Sequence, residues 1–128
     1  MPGKPRFRLQ ARPSRISGHG VFAMENIPWG LKIVEFTGNL IDDDEAERRP
    51  RAGASAIMEL DEGMNIDGFD GGGVAAMINH RRLAPNCCLL RDKGKIWIVA
   101  GVEGVNAGDE LTYDYGTDYY PEDVEKVF

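Results

Sequence analysis

Apolar residues along this chain come in short runs, several alternating with polar ones, and glycine-rich turns end each run early. "FRLQA" (7–11) and "GVFAM" (20–24) read as strands on either side of the turn "SRISGHG". "LKIVEFTG" (31–38) is a third, entered through "NIPWG", where Pro28 and Gly30 supply turn geometry. One stretch has helix chemistry instead. "DDDEAERR" (42–49) offers Asp42 as N-cap, acids in the first turn, arginines in the last and Pro50 as the stop.

"AIMELDE" and "MNID" suit two short strands before "GFDGGG" breaks all regularity with flexible backbone, and "VAAMIN" (74–79) suits a helical turn. "CCLLRDKGKIWIVAG" reads as a hairpin around Asp92-Lys93-Gly94. "VNAGDELTYDYG" then supplies a turn at Ala107-Gly108-Asp109 and a last strand, on which Tyr113 and Tyr115 share one face. Many short strands with one short helix predict a mainly β domain. At 128 residues, without a repeat or linker, a single domain over 1–128 is expected.

Charge adds an asymmetry. The net −6 is uneven: residues 1–24 carry Lys4, Arg6, Arg8, Arg12 and Arg15 and no acid. Acids gather at Asp42–Glu47, Glu59–Asp70 and Asp109–Glu125. Such a surface favours a basic peptide partner and disfavours nucleic acid; solvated helix and loop faces explain the same runs without any partner. No apolar run reaches the ~20 residues of a membrane span, and the N-terminal stretch lacks a signal-peptide core, so an intracellular protein without membrane attachment is expected.

Candidate chemistry is sparse. Cys87 and Cys88 are the only cysteines and His19 and His80 the only histidines, and no spacing joins them with acids into a metal-ligand pattern, so no metal is expected. Adjacent cysteines suit a reduced pair with one side chain in the core; a Cys-His nucleophile pair stays open. Four features remain: the Gly-x-Gly turn of "SGHGVFA", the flexible "IDGFDGGG", the amide and imidazole of "INH", and the tyrosine pair of "GDELTYDYG". Tyr113 and Tyr115 read equally as a core aromatic stripe.

In their order and separations, these pieces, together with "PNC", resemble the SET domain of protein lysine methyltransferases from about Gly18 to Gly116. The resemblance implies a β-clip fold of several small sheets and a C-terminal pseudoknot in which "HRRLAPNC" meets the segment around Tyr113 and Tyr115. It implies S-adenosyl-L-methionine as cofactor, held by the backbone of Gly18, His19 and Gly20 and by Asn79, His80 and Tyr115. Tyr115 matches the tyrosine of the methyl-transfer site, and Tyr113 the position that limits how many methyls are added, pointing to monomethylation of a lysine in a basic, histone-like protein.

Departures from the family pattern are local. Arg81, Arg82, Leu83 and Ala84 fill a loop that usually reads shorter and carries a cysteine. Ala76 stands where an arginine is common, and Ala56 where an active-site tyrosine is frequent. The stretch 117–128 has no cysteines; Tyr119, Tyr120 or Phe128, or a second subunit in a homodimer, would close the lysine channel instead. These losses leave a catalytically degenerate SET-like binding module as the alternative, and an unrelated small β module as a third reading.

Overall fold

The computed structural model describes residues 4–49 and 57–114. Among these, ten strands form four small sheets. β1 (Leu9–Pro13) and β2 (His19–Ala23) make an antiparallel ribbon. β3 (Lys32–Phe36), β9 (Lys95–Ala100) and β8 (Cys87–Asp92) make a three-stranded sheet with β9 in the middle. β4 (Asn39–Asp42), β6 (Met64–Asp67) and β5 (Ile57–Asp61) make another. The fourth is a minimal parallel pair, β7 (Asn79–His80) with β10 (Thr112–Tyr113). No described helix is long and apolar enough to cross a membrane.

The three-stranded sheet containing β9 carries the core because both of its faces are covered. Ile96, Ile98 and Ala100 are fully buried against Ile33, Phe36, Ile78, Leu111 and Tyr113. The opposite face buries Val99 with Cys88 and Leu90 beneath Trp97, and Arg6 and Lys32 each lie 4.8 Å from the Trp97 ring, as cations over an indole. Both cysteines are therefore buried, on opposite faces of β8, where a single core side chain was expected. The β8–β9 turn is Lys93-Gly94, both with positive φ, the geometry that matches the twist of two paired strands.

Helix α1 (Asp43–Arg48) forms as its sequence dictates, with the Asp42 carboxylate accepting from the Glu45 N–H at 2.8 Å and three acids in its first turn. Six residues cannot sustain a helix alone, and Arg49 ties this one down. Its Nε donates to Glu45 (2.9 Å), and its Nη1 to Asp67 (2.9 Å) and Asp70 (2.8 Å). Asp70 also accepts from the Asn39 amide at 2.9 Å.

Three elements differ from expectation. β4 was not foreseen, because only Ile41 of its four residues is buried and no alternation marks it; it exists through pairing with β6. The turn at Val74–Met77 is 3-10 and stops early, freeing Asn79 and His80 to pair as a strand. The glycine-rich "GFDGGG" is exposed over 69–73, yet two of its glycines, Gly68 and Gly72, sit in close contact with neighbouring segments. A side chain at Gly72 would fall on the carbonyls of Gly68 and Thr37, and one at Gly68 on the Phe36 ring.

Two predictions follow from this packing. Ile98→Ala should cost ~3 kcal/mol, read as a lower urea midpoint with unchanged slope. The Arg49 guanidinium holds the carboxyls of Glu45 and Asp70 below their ordinary values of 4.5 and 3.8. A carboxyl with a depressed folded pKa stabilises the fold above its unfolded pKa and loses that contribution as pH falls through the folded value. Stability should therefore decline below about pH 4 more steeply in the parent than in Arg49→Met, compared by thermal unfolding across that range.

Candidate active site

Three segments far apart in sequence meet at the side-chain amide of Asn79. Its Nδ2 lies 3.0 Å from Ser14 Oγ, 3.1 Å from the Ser17 carbonyl, 3.3 Å from the His19 carbonyl and 2.8 Å from Glu110 Oε2. Two N–H bonds are thus shared among four acceptors. Ser14 donates its hydroxyl to the same Glu110 carboxylate at 2.8 and 2.9 Å and accepts from the Ile16 N–H at 2.9 Å. The turn closes on itself where the Ser14 N–H donates to the Gly18 carbonyl at 2.8 Å, with Gly18 at φ +44°.

Gly20 is required at its position by this packing. A Cβ there would fall on the Glu110 carboxylate and lie 3.1 Å from Asn79 Nδ2. The absent side chain lets β2, Glu110 and Asn79 approach one another. His19, just before it, is exposed, and its carbonyl is the part turned toward the amide.

The segment 108–113 runs alongside β2, through the Phe22–Glu110 bridge and the Leu111 N–H to Val21 carbonyl bond of 2.8 Å. β10 then pairs with β7, Thr112 opposite Asn79 and Tyr113 opposite His80. Asn86 fastens the same segment: its Nδ2 donates to the Glu110 carbonyl at 2.8 Å, and its Oδ1 accepts from the Thr112 N–H at 2.9 Å. The Arg81 N–H donates to the Tyr113 carbonyl at 2.9 Å. "HRRLAPNC" and the stretch leading to Tyr113 therefore do meet.

Gly18, His19, Gly20, Asn79 and His80 are brought together around this junction. Tyr113 lies on its inner side, 1% exposed among Phe36, Ile78 and Leu111. His80 is half-buried, its Nδ1 3.7 Å from Asp114 Oδ1. Tyr115, Ala56, Pro50 and the 117–128 stretch with Tyr119, Tyr120 and Phe128 lie outside the described residues.

The Cys-His alternative loses its chemistry here. Burial pushes the Cys87 thiol far above the ordinary thiol range and Cys88 up to about 11, so neither supplies a thiolate at neutral pH. Cys87 instead donates to Asn86 Oδ1 at 3.3 Å.

Three residues of the junction escaped sequence reasoning. Ser14 and Glu110 are 96 positions apart, and nothing local links them. Asn86 follows a proline, which marks a turn but not a clamp. The one usable signal was Glu110 itself, an acid just before the alternating run Leu111-Thr112-Tyr113, whose residues are buried.

A ribbon, two small antiparallel sheets and a minimal parallel pair that locks a late strand beside an Asn-His dipeptide define a SET-type β fold. The sequence profile of the SET domain matches residues 18–116. A Schizosaccharomyces pombe protein named "Histone-lysine N-methyltransferase, H3 lysine-4 specific" is 36% identical over 129 residues, covering 94% of this chain and 14% of that protein. Caenorhabditis elegans "Histone-lysine N-methyltransferase mes-2" is 33% identical over 120 residues, covering 84% and 15%. A solved chain from the structure titled "Crystal structure of an active polycomb repressive complex 2 in the stimulated state" superposes with a TM-score of 0.76 at 28% identity, covering 87% of this chain and 15% of that one. The chain belongs to the SET domain family, and it spans about a seventh of the length of these relatives.

The Asn86 clamp generates a test. Asn86→Ala leaves a buried strand N–H and the Glu110 carbonyl without their partner and should destabilise the fold by about 2 kcal/mol, whereas the exposed Asn106→Ala should change it by less than about 1 kcal/mol. Chemical denaturation of both variants checks the contrast.

Proposed function

We propose that this chain transfers a methyl group from S-adenosyl-L-methionine to the ε-amine of a lysine in a basic protein, adding one methyl. The observation that carries the reading is the convergence of acceptors at Asn79. The Ser14 hydroxyl oxygen, the Ser17 and His19 carbonyls and the Glu110 carboxylate share the two N–H bonds of one amide, so acceptors outnumber donors there. That acceptor surplus fits the cationic amino-acid end of the cofactor, whose ammonium has hydrogens to give. Gly18, His19 and Gly20 would hold that end by their backbone, with Asn79 and His80 beside it and Tyr115 at the transfer point. The cofactor supplies an activated methyl on a cationic sulfur.

What the chain itself must do is prepare the amine. A lysine of ordinary pKa 10.4 costs roughly 4–5 kcal/mol to hold neutral at pH 7. A dry, aromatic channel lowers that cost by penalising the ammonium form, and Tyr113 is enclosed as such a wall requires. Tyrosine hydroxyls at 113 and 115 would align the amine, and alignment supplies much of the acceleration in a displacement of this kind. A hydroxyl at 113 also fills the space a methylated amine would need, which is the basis for one methyl.

The substrate class rests on charge and kinship together. Acidic residues line α1 and the strands β5 and β6, offering a basic peptide long-range attraction. Relatives named as histone-lysine methyltransferases support a histone-like protein as the acceptor. The competing reading, a domain that binds a partner without catalysis, draws support from the exposed Arg81–Ala84 loop and from Ala76.

Calorimetric titration with the cofactor, followed by labelled-methyl transfer into basic proteins, separates the two. Saturable binding with lysine labelling supports transfer; no binding at millimolar cofactor sinks it. Tyr115→Phe should lose at least about a hundredfold in turnover with an unchanged unfolding midpoint. Tyr113→Phe should shift the product toward di- and trimethyl-lysine, read by mass spectrometry; an unchanged product state would refute the size limit.

A further inference from the structure

We propose that the cleft between the β1–β2 ribbon and residues 108–112 is a docking site for an acidic peptide segment of a protein partner. This cleft encloses about 620 Å³. Arg12, Arg15 and Arg81 contribute to its lining, together with Ile16 and Phe22. Gly18, His19, Gly20, Asn79, His80 and Tyr113 do not line it; Glu110 does, with its carboxylate turned to Ser14 and Asn79. The cleft is thus a neighbour of the proposed cofactor junction, and peptide binding there does not depend on methyl transfer.

Its three guanidiniums are uncommitted. None of them forms an ion pair with a described carboxylate. Arg12 lies over the Phe22 ring at 5.2 Å, a contact that leaves the guanidinium edge open to an acceptor. Two carboxylates also line the cleft, and both are turned to other work. Glu110 accepts from Ser14 and Asn79, and Asp109 Oδ2 accepts from the Asn106 N–H at 3.3 Å. Three arginines against two carboxylates leave the cleft a net positive concavity on a chain of net charge −6.

The chemistry favours a peptide over nucleic acid. An extended polyanion is opposed by the net charge of −6, whereas a short acidic segment keeps its charge within the cleft. Ile16, 44% exposed, and the half-buried Phe22 add an apolar floor that a peptide side chain can cover and a phosphate backbone cannot use. Guanidinium forks match carboxylates bidentately, giving register as well as attraction.

Fluorescence anisotropy of the full chain tests this with a labelled peptide of alternating glutamate and leucine. Its glutamine counterpart and a short DNA duplex serve as comparisons. The expected result is saturable binding of the glutamate peptide that weakens with added salt and is absent with the glutamine peptide. Arg12→Gln combined with Arg81→Gln should weaken it about tenfold or more without lowering the unfolding midpoint. If that pair fails to fold by circular dichroism, Arg15→Gln in the exposed turn takes its place. Saturating S-adenosylmethionine should leave the binding unchanged. The proposal is overturned by no binding at millimolar peptide, equal binding of the glutamine peptide, tighter binding of the duplex, indifference to the arginine substitutions, or displacement by the cofactor.

Discussion

A carboxylate shared between a serine and an asparagine amide holds three distant parts of this chain in one place. Glu110 accepts from Ser14 and from Asn79, and Asn79 in turn reaches the carbonyls of the turn that Ser14 opens. Hydrogen bonds to a charged group contribute roughly 1.5–3 kcal/mol each, about twice a neutral one. Removing either donor would leave a part-buried anion short of partners, which costs more than the bond itself contributes. Position 20 must be glycine for the junction to close, so the Gly-x-Gly turn is a packing requirement as well as a route for backbone to approach a ligand.

The rest of the architecture serves to deliver the final strand to that junction. Residues 108–113 receive hydrogen bonds from β2 and from Asn86 while β7 pairs alongside, so the segment is fixed by backbone from several directions. Alternation then sorts its side chains. Leu111 and Tyr113 enter the apolar core, while Glu110 and Thr112 face the polar junction and Asn86. One short strand thereby connects the acceptor cluster to an enclosed tyrosine, the adjacency that the proposed methyl transfer needs.

Local signals in the sequence located the ribbon, the β8–β9 hairpin and α1 well, because each is set by nearby residues: a glycine turn, Lys93-Gly94, and the Asp42 cap. β4 escaped because its pairing partner β6, not its own pattern, makes it a strand. In "GFDGGG" composition suggests only freedom, and tertiary contact alone reveals that Gly68 and Gly72 allow close approach. Asn79 and His80 were legible through their place in an ordered set of motifs. The junction roles of Ser14, Glu110 and Asn86 were not, although the last two lie within those motifs, because a hydrogen bond across 96 or 24 positions leaves no periodic trace.

The altered loop Arg81–Ala84 shows why departures from the family pattern need not open the junction. Its side chains are exposed, Leu83 at 78%, and Ala84 takes φ +52°, a left-handed turn that costs an alanine about 1 kcal/mol. The loop is closed at its ends instead. At one end the Arg81 N–H meets the Tyr113 carbonyl, and at the other Asn86 grips Glu110 and Thr112. Backbone and one amide therefore do the closing, and the exposed side chains of Arg81–Ala84 take no part in it. The Arg81 side chain instead faces the basic ribbon, so the same loop that departs from the pattern supplies one wall of the arginine cleft.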